Sequence, residues 1–384
     1  MKAILLMFHV EMGTGYAIEK LCSTFLQMAE ILVRENSHIH VSFTRVSNLK
    51  RSEVLTDIAH IIEFNPWSHD RSQYRFIMEY VKTHQVDVVF GFDLPAWLPS
   101  YKHISGGGVK TIVSYQGAPM SSLNQGIKLM LKKIEIMLRA GTPDHYIFES
   151  IAMAETAYLG RGIPESRVSV INLGVDTEKY KPIDDAVYTY KLFSIPVNRK
   201  IIYYSGHMEK RKGVDVLVKA AKHLYNNHNR RDFHFLIMGN REGEEQEYLD
   251  FLRGSKASDH VTFGGYRNDI EKIIPNCYLG VIASTGWDSF TMSSLEIAAS
   301  GLPLLVSRLQ GLVETIDEGK TGHSFEPGSY RELSNLIIML FDNQEARDLM
   351  GVNARRRILS EFTVRKQIER LVLLVKQVTS SKLL

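Results

Sequence analysis

The amino-acid sequence predicts an α/β protein built from two doubly wound parallel-sheet domains. Its 384 residues exceed what one ordinary hydrophobic core organises, and they suit two domains of about 150–200 residues each. Short apolar runs typical of buried strands alternate with longer runs of helical periodicity, which favours parallel sheets covered on both faces. The alternation stops near residue 176 and restarts at residue 200, so the sequence predicts two such sheets in series.

The first domain is assigned to residues 1–180 and opens with a buried strand at 3–10. A glycine turn follows, and then a helix from about Tyr16 to Asn36 has an apolar face that includes Leu21 and Phe25. The other strands predicted for this domain are 38–43, 86–91, 110–115, 144–148 and 168–172.

The second domain is assigned to residues 200–360, after a linker at 181–199 where proline and mixed charge interrupt the alternation. Residues 361–384 form a last helix that we expect to pack back on the first domain. The ligand is expected in the cleft between the domains, at the carboxyl ends of the strands. The predicted strands are 200–205, 233–238, 260–263, 278–283 and 303–307, and the predicted helices are 212–227, 242–254, 291–300 and 329–341.

The composition excludes several classes of protein. Hydrophobic residues make up 44% and charged residues 23%, as in soluble globular proteins, and the net charge of +3 suits anionic ligands without indicating nucleic acid. The two cysteines lie far apart, and no Cys/His cluster has metal-site spacing, so we predict no disulfide and no metal ligands. The opening run is interrupted by His9 and Glu11 and is more typical of a strand than of a signal peptide. With so few cysteines, a reducing cytoplasm is the expected compartment. No run of about 18 apolar residues exists, so we expect no segment that spans a membrane.

The segment 206-GHMEKRKG-213 is a candidate phosphate site. It follows a predicted strand and opens a helix, and Gly206 lets backbone amides approach a ligand. Lys212 is placed where its ammonium group can reach a phosphate. A solvated basic turn is an equally good interpretation of these residues alone.

A second candidate segment is 286-GWDSFTMSSLEIAASGLPLLVSRLQGLVET-315. Thr291 is expected near the N-cap of a helix, whose first free amides, at Met292, Ser293 and Ser294, point toward a phosphate or sugar. Glu296 lies about one turn further in and can accept hydrogen bonds from a vicinal diol, and Asp288 precedes the helix. The alternative is that both acids only interact favourably with the helix dipole.

These motifs resemble those of the retaining, GT-B-fold glycosyltransferases of family 4, also called glycosyl transferases group 1. The order is G-x5-K-G at 206–213, D-x7-E at 288–296 and G-x-x-E at 311–314, and 170-VINLGVDTEKYKP-182 resembles the family's hinge segment. The resemblance covers about residues 80–325 and is strong in the second domain. It implies two Rossmann-like domains and an enzyme of the EC 2.4 class.

The resemblance implies a nucleotide-sugar donor, with a UDP-sugar favoured over a GDP-sugar, and a glycan, glycolipid or small-metabolite acceptor. Cleavage of the donor places negative charge on the departing phosphates, which must be stabilised by fixed positive groups or by a metal ion. No D-x-D occurs in the chain, so we expect a metal-independent enzyme with no cofactor. The implied catalytic residues are Asp288, Glu296, Lys212, His207 and Gln116.

Several positions depart from the family pattern. His207 stands where the family commonly has Arg, Asp288 where it has Glu, and Gln116 where a first-domain His is frequent. Thr291 replaces a glycine. These departures support a second hypothesis, a catalytically silent sugar-nucleotide-binding protein with a regulatory or scaffold role.

The remaining candidates carry weaker signals. Gly13 and Gly15 form a loop whose amides can meet the diphosphate or the acceptor, and a plain tight turn is the alternative. Asn240 and Tyr266 follow predicted strands and resemble residues that border the nucleotide base, and Phe290 belongs to the donor-side motif. The basic amphipathic segment 126–141 can lie on an anionic membrane at its inner face, whereas the alternative is a core helix with solvated lysines.

Overall fold

The computed structural model describes residues 1–46, 60–139, 141–183 and 187–381. Residue 140 of the predicted segment 126–141, residues 184–186 of the predicted linker and residues 382–384 of the predicted last helix lie outside the described part. The chain divides into two compact units, Met1–Asn172 with Val364–Leu384, and Leu173–Thr363.

The first unit is a seven-stranded parallel sheet with helices packed on it, in the strand order β3-β2-β1-β4-β5-β6-β7. All six residues of β1 are buried, as expected for a strand covered on both faces. The strands are β1 Ala3–Phe8, β2 Ile39–Phe43, β3 His60–Glu63, β4 Val86–Phe92, β5 Thr111–Gln116, β6 His145–Phe148 and β7 Val168–Val170. The helices are α1 Gly15–Leu32, α2 Arg71–Thr83, α3 Pro99–Gly106, α4 Gly126–Leu138, α5 Ile151–Glu155 and the C-terminal α13 Val364–Ser381.

The second unit is a six-stranded parallel sheet in the order β10-β9-β8-β11-β12-β13. Its strands are β8 Lys200–Ser205, β9 Phe233–Met238, β10 Val261–Gly265, β11 Leu279–Ile282, β12 Leu304–Ser307 and β13 Gly322–Phe325. Its helices are α6 Tyr188–Leu192, α7 Val214–Asn226, α8 Gln246–Leu252, α9 Ile270–Ile273, α10 Met292–Ala299, α11 Tyr330–Asp342 and α12 Gln344–Glu361. Two doubly wound parallel sheets confirm the predicted fold class.

The boundaries of the units differ in detail from those assigned to the sequence. The second unit already includes Leu173, because the Val175 amide donates to the Phe362 carbonyl at 2.8 Å and ties the two ends of this unit together. The described part of 181–199, assigned as a linker, belongs to this unit and contains α6, in which Thr189 Oγ1 donates to the Ile273 carbonyl at 2.9 Å. Strands β3 and β13, both short, were not among the predicted strands.

The last helix, α13, belongs to the first unit, where it packs on α1 and β5. Its buried Gln367 donates from Nε2 to the hydroxyl of Tyr115 at 3.3 Å. Among the described residues, no helix has the length and apolar character needed to cross a membrane.

Each sheet has one point where the order of its strands reverses. In the first unit β1 lies between β2 and β4, and in the second unit β8 lies between β9 and β11. The loops after β1 and β4, and after β8 and β11, therefore leave in opposite directions and open a crevice at the carboxyl edge of each sheet, where doubly wound proteins bind ligands.

Candidate active site

The reversal point of the second unit holds a buried ion pair. Lys212 lies in the loop after β8 and Asp288 in the loop after β11, and the Lys212 ammonium donates to both Asp288 oxygens, at 3.1 and 2.9 Å. Both side chains are mostly withdrawn from water, and Ser284 Oγ donates to Asp288 Oδ2 at 2.6 Å. The pair therefore holds a cation in place at the crevice.

A glycine allows the two loops of this pair to meet. Gly213 follows Lys212, has a left-handed backbone with φ of +72°, and begins α7. A Cβ built there would lie 1.8 Å from the Ala283 carbonyl oxygen, at the end of β11. Only glycine satisfies both conditions, so the G-x5-K-G pattern is a requirement of this loop crossing as well as of a ligand.

The first turn of α10 opens at the same edge. Thr291 is its N-cap, and its Oγ1 accepts from the Ser294 amide at 3.4 Å and is 2.6 Å from the Ser294 hydroxyl. Met292 and Ser293 are half-buried at the helix start, where amides have no intrahelical acceptor. This geometry suits an anion, as the sequence predicts.

Two predicted site residues are more deeply placed than the sequence suggested. Glu296 is buried in the second turn of α10. Phe290 is also buried, and its ring packs on that of Phe362 at a centroid distance of 5.0 Å, so the side chain serves the core and any contact with a donor falls to its backbone.

The loops after β8, β9 and β10 bring together the other second-unit candidates. The Asn240 side chain accepts from the Gly265 amide at 2.8 Å and donates to Glu245 at 3.0 Å, which fixes two loops at once. Tyr266 is exposed, and its hydroxyl lies 3.3 Å from Nδ1 of His207, which is also exposed. Gly206 packs tightly, because a Cβ there would lie 2.7 Å from the Tyr204 hydroxyl.

Three residues that support this edge were missed in the sequence. The Arg211 guanidinium stacks on Trp287 at 4.3 Å and donates to the Trp287 carbonyl at 3.2 Å, which adds a second fixed cation beside Lys212. Gln310, in the loop after β12, accepts from the Asp288 amide at 3.1 Å. Ser284, whose hydroxyl donates to Asp288, is the third of these residues. The run Lys210-Arg211-Lys212 was the available signal for Arg211, whereas nothing local marks Gln310.

In the first unit, the Gln116 side chain turns inward. It ends β5, is buried, and donates from Nε2 to the Leu94 carbonyl at 2.7 Å and to Ser114 Oγ at 2.6 Å. The sequence predicts that this amide binds a sugar hydroxyl, but its nitrogen already donates hydrogen bonds within the first unit. The side chain instead secures the loop that follows β4.

That loop carries an acid the sequence analysis missed. Asp93 follows β4 in a left-handed conformation, with φ of 49°, and its Oδ1 accepts from the Gly117 amide at 2.8 Å. Loss of hydration raises the pKa of this carboxyl to about 6, although the Gly117 and Ala118 amides and His9 act in the opposite direction. His9 follows β1 and is fixed through Nδ1 to the Phe92 carbonyl at 2.9 Å. These residues lie at the reversal point of their sheet.

Gly13 and Gly15 flank Thr14 in the loop before α1. Both have left-handed backbones, with φ of 79° and 73°, and a Cβ at Gly15 would meet nothing within 4 Å. The Thr14 hydroxyl donates to the Glu11 carbonyl at 2.5 Å. Thr14 makes no side-chain cap to this 18-residue helix.

Helix α4 exposes an apolar stripe. The exposed residues recur every three or four positions, which places them on one face, and Met137 and Leu138 are each 80% exposed. The opposite face buries Ile136, and Glu135 pairs with Arg139 at 2.9 Å and Arg161 at 3.1 Å. The alternative of a core helix with solvated lysines is thus wrong. The stripe consists of Ile127, Met130, Leu131, Ile134, Met137 and Leu138.

A doubly wound unit with a fixed lysine and a capped helix start at its reversal point belongs to the class of proteins that bind anionic ligands there. Family models make the class specific. The model described as "Glycosyl transferases group 1" matches residues 191–357, and that described as "Glycosyltransferase Family 4" matches residues 23–179. The two matches together span most of the chain, which belongs to the group 1, family 4 glycosyltransferases.

Curated proteins match the chain at low sequence identity. A D-inositol 3-phosphate glycosyltransferase of Corynebacterium glutamicum is 26% identical over 194 residues, which is 49% of this chain and 46% of the relative. A UDP-Gal:alpha-D-GlcNAc-diphosphoundecaprenol alpha-1,3-galactosyltransferase of Escherichia coli is 23% identical over 256 residues, 65% of this chain and 64% of the relative. The chain thus spans between about half and two thirds of the length of these relatives.

Solved structures share the fold over nearly all of the chain. A glycosyltransferase from Rickettsia africae ESF-5 has a TM-score of 0.80 at 19% identity and covers 98% of both chains. Anabaena Alr3699/HepE in complex with UDP has a TM-score of 0.79 at 17% identity, over 98% of this chain and 100% of that one. At such identities the likeness establishes the fold.

Proposed function

We propose that the chain is a retaining glycosyltransferase that moves a sugar from a nucleotide-sugar donor to a glycan, glycolipid or small-molecule acceptor. The observation that carries the proposal is the Lys212–Asp288 pair beside the capped start of α10, within a unit matched by the glycosyltransferase model. We further propose a cytoplasmic protein, and the departures at residues 116, 207, 288 and 291 keep a silent binding protein as the competing hypothesis.

The arrangement suits a departing diphosphate. Breaking the bond between the sugar and the phosphate leaves negative charge on the phosphate oxygens, and preorganised positive groups stabilise that charge most when they need not move. Lys212 is held by two hydrogen bonds, and the amides of Met292 and Ser293 add partial positive charge. These groups supply the stabilisation that a metal ion provides elsewhere, which supports metal independence.

Glu296 is the proposed partner of the donor sugar. A buried carboxylate accepts hydrogen bonds from adjacent hydroxyl groups and loses little entropy on binding them. In the same scheme the donor phosphate takes the acceptor proton on the face from which it leaves. That route gives retention of configuration without a nucleophile from the protein.

Two comparisons support a UDP-sugar. Alr3699/HepE is described in complex with UDP and with UDP-glucose, and the Escherichia coli relative is named for UDP-Gal. The name of that relative also gives a diphosphoundecaprenol acceptor, which is a membrane lipid. We propose that the exposed stripe of α4, with Lys128 and Lys133 beside it, binds an anionic membrane and brings the enzyme to such an acceptor.

The function is tested by measuring hydrolysis and thermal stabilisation with UDP-, GDP- and ADP-sugars, with and without EDTA. We expect one UDP-sugar to be bound and to be slowly hydrolysed in the presence of EDTA. When an acceptor is supplied, NMR should show that the transferred sugar retains its anomeric configuration. Glu296→Gln should reduce turnover by about 10²–10³-fold. Glu345→Gln, at the exposed start of α12, is the matched control and should leave turnover unchanged.

Other outcomes decide between the hypotheses. Stabilisation by a donor without hydrolysis or transfer to any acceptor would support the silent binding protein. His207→Arg then provides a second test, because a gain in turnover would identify a weakened enzyme. No response to any sugar nucleotide would contradict both.

The membrane proposal has its own test in sedimentation with vesicles containing anionic lipid. Met137→Glu with Leu138→Glu should abolish binding, because both side chains lie on the exposed stripe. Leu373→Glu on α13 is the control, since Leu373 is 68% exposed and lies outside α4. Equal loss of binding in both variants would contradict a specific role for α4.

A further inference from the structure

Three histidines from distant parts of the sequence meet in the first unit. His40 lies on β2, His60 begins the neighbouring β3, and His84 is the C-cap of α2. His40 and His60 are register partners in the parallel pair, so their side chains lie side by side on one face of the sheet. The three ring centroids form a nearly equilateral triangle with sides of 4.8, 4.9 and 5.2 Å.

The cluster lies away from the candidate active site. His40 and His60 are at the beginning of their strands, and His84 precedes β4, so all three lie at the amino edge of the sheet. The crevice with Asp93 and His9 is at the carboxyl edge. A role for these histidines is therefore separate from sugar transfer.

The geometry points to a metal site: we propose that His40, His60 and His84 bind one divalent transition-metal ion, with Zn²⁺ as the reference ion. One ligand atom from each residue lies within 4.8 Å of the other two. Zinc–nitrogen bonds of about 2.0–2.1 Å place three nitrogens roughly 3.4 Å apart in a tetrahedral site, which requires each ring to move inward by less than about 1 Å.

The surroundings of the triad favour metal ligation. The hydroxyl of Tyr80 lies 2.8 Å from Nδ1 of buried His40, which leaves Nε2 as the nitrogen available to a metal. A metal-bound histidine donates its other ring N–H to a neighbouring oxygen, and the Tyr80 hydroxyl is in place to accept it. His60 and His84 are half-buried, so they can adjust and a water molecule can complete the coordination.

The triad joins three separate elements of the first unit. The neutral imidazole is the form that binds metals. A bound ion would cross-link β2, the edge strand β3 and the end of α2, so its expected role is structural.

The test is zinc binding by the full chain, without an affinity tag, at pH 7.5. Competition with a chromophoric zinc indicator should give one ion per chain, and Zn²⁺ should raise the Tm until EDTA removes it. His60→Ala and His84→Ala should each weaken binding by at least about 100-fold, and Tyr80→Phe by about 10–100-fold. His103→Ala is the matched control, because this half-buried histidine stacks on Tyr74 of the same unit outside the triad.

A second measurement needs no variant. Co²⁺ in a four-coordinate site of three imidazoles absorbs visible light far more strongly than Co²⁺ on scattered surface histidines, so the wild-type spectrum reports the site even if a variant folds poorly. Unchanged Tm and a weak cobalt spectrum would overturn the proposal. So would equal zinc affinity in His60→Ala, His84→Ala and His103→Ala. None of these results depends on glycosyl transfer.

Discussion

Asp288 and Asp93 occupy corresponding loops in the two units, and their surroundings differ. Asp93 follows β4, which pairs with β1, and Asp288 follows β11, which pairs with β8. In each sheet these two strands lie at the point where the strand order reverses. Asp288 has the Lys212 ammonium at 2.9 and 3.1 Å and the Ser284 hydroxyl at 2.6 Å. Asp93 has backbone amides and His9, and its pKa is raised to about 6.

The comparison teaches that one topology can prepare two kinds of chemistry. A lysine held by a carboxylate has its ammonium group fixed in position, which suits phosphates although the pair as a whole is neutral. A carboxyl group whose pKa lies near neutrality exchanges protons readily and suits uncharged hydroxyl groups. The difference comes from which residues the loops supply, since the sheets themselves are alike.

The largest expected effect on turnover is that of removing the cation from the second-unit loop. Lys212→Met should lower turnover by about 10²–10³-fold and destabilise the unit by about 3–5 kcal/mol, because Asp288 is then buried without its partner. Steady-state kinetics and urea unfolding measure the two effects.

A double variant separates charge from stability. Lys212→Met with Asp288→Leu should recover most of the stability, since it removes both members of a buried pair, but none of the turnover. Lys219→Met is the control: its pair with Asp215 is exposed on α7 and should contribute less than about 1 kcal/mol. Recovery of turnover in the double variant would contradict the role of Lys212.

The second test compares two glycines with nearly equal backbone angles. Gly213→Ala forces a Cβ to 1.8 Å from the Ala283 carbonyl, whereas Gly15→Ala, at φ of +73°, meets nothing. The second change should cost only the left-handed backbone, about 1–2 kcal/mol. The first should cost several kcal/mol more, or prevent folding of the second unit. Equal losses of stability in Gly213→Ala and Gly15→Ala, measured by thermal unfolding, would show that the two loops of the second unit are not in tight contact at Gly213.

The third test uses pH. The pKa of Asp93 is higher in the folded state than the ordinary 3.8, so its favourable contribution is complete below pH 4 and is lost as the pH rises through about 6. The loss should be at most about 3 kcal/mol for the first unit, and Asp93→Asn should remove it.

The measurement is the urea midpoint of the first unit between pH 4 and 7. Asp70 in the same unit is the control: its hydrogen bonds with Ser72 lower its pKa from the ordinary 3.8, so its contribution is lost only at lower pH and Asp70→Asn should leave the slope between pH 4 and 7 unchanged. An unchanged slope in Asp93→Asn would contradict the assignment.

The smallest expected effect concerns the two helix starts. Thr291 caps α10 through the Ser294 amide, so Thr291→Ala should cost about 1 kcal/mol. Thr14 makes no such bond to α1, and Thr14→Ala should cost less. Thermal unfolding of both variants gives the ranking, and a larger loss for Thr14→Ala would reverse the comparison.

The sequence by itself determined the two parallel sheets and the candidate residues of the second unit. Strand and helix periodicity is carried by residues close together in the chain, and the motifs around Gly206, Lys212 and Thr291 are also local. Glu296 could be named for the same reason, because it lies on the helix that Thr291 begins.

Tertiary structure alone decided the rest. Phe290 proved to be a core residue and the Gln116 amide nitrogen an internal donor, while the α4 stripe proved to be exposed. His40, His60 and His84 come from three separate elements, so no spacing rule for metal ligands could bring them together. Asp93 lacks any motif, and its raised pKa arises from burial. Such sites are made by strands and loops that are neighbours in space, and their separation along the chain leaves no local pattern.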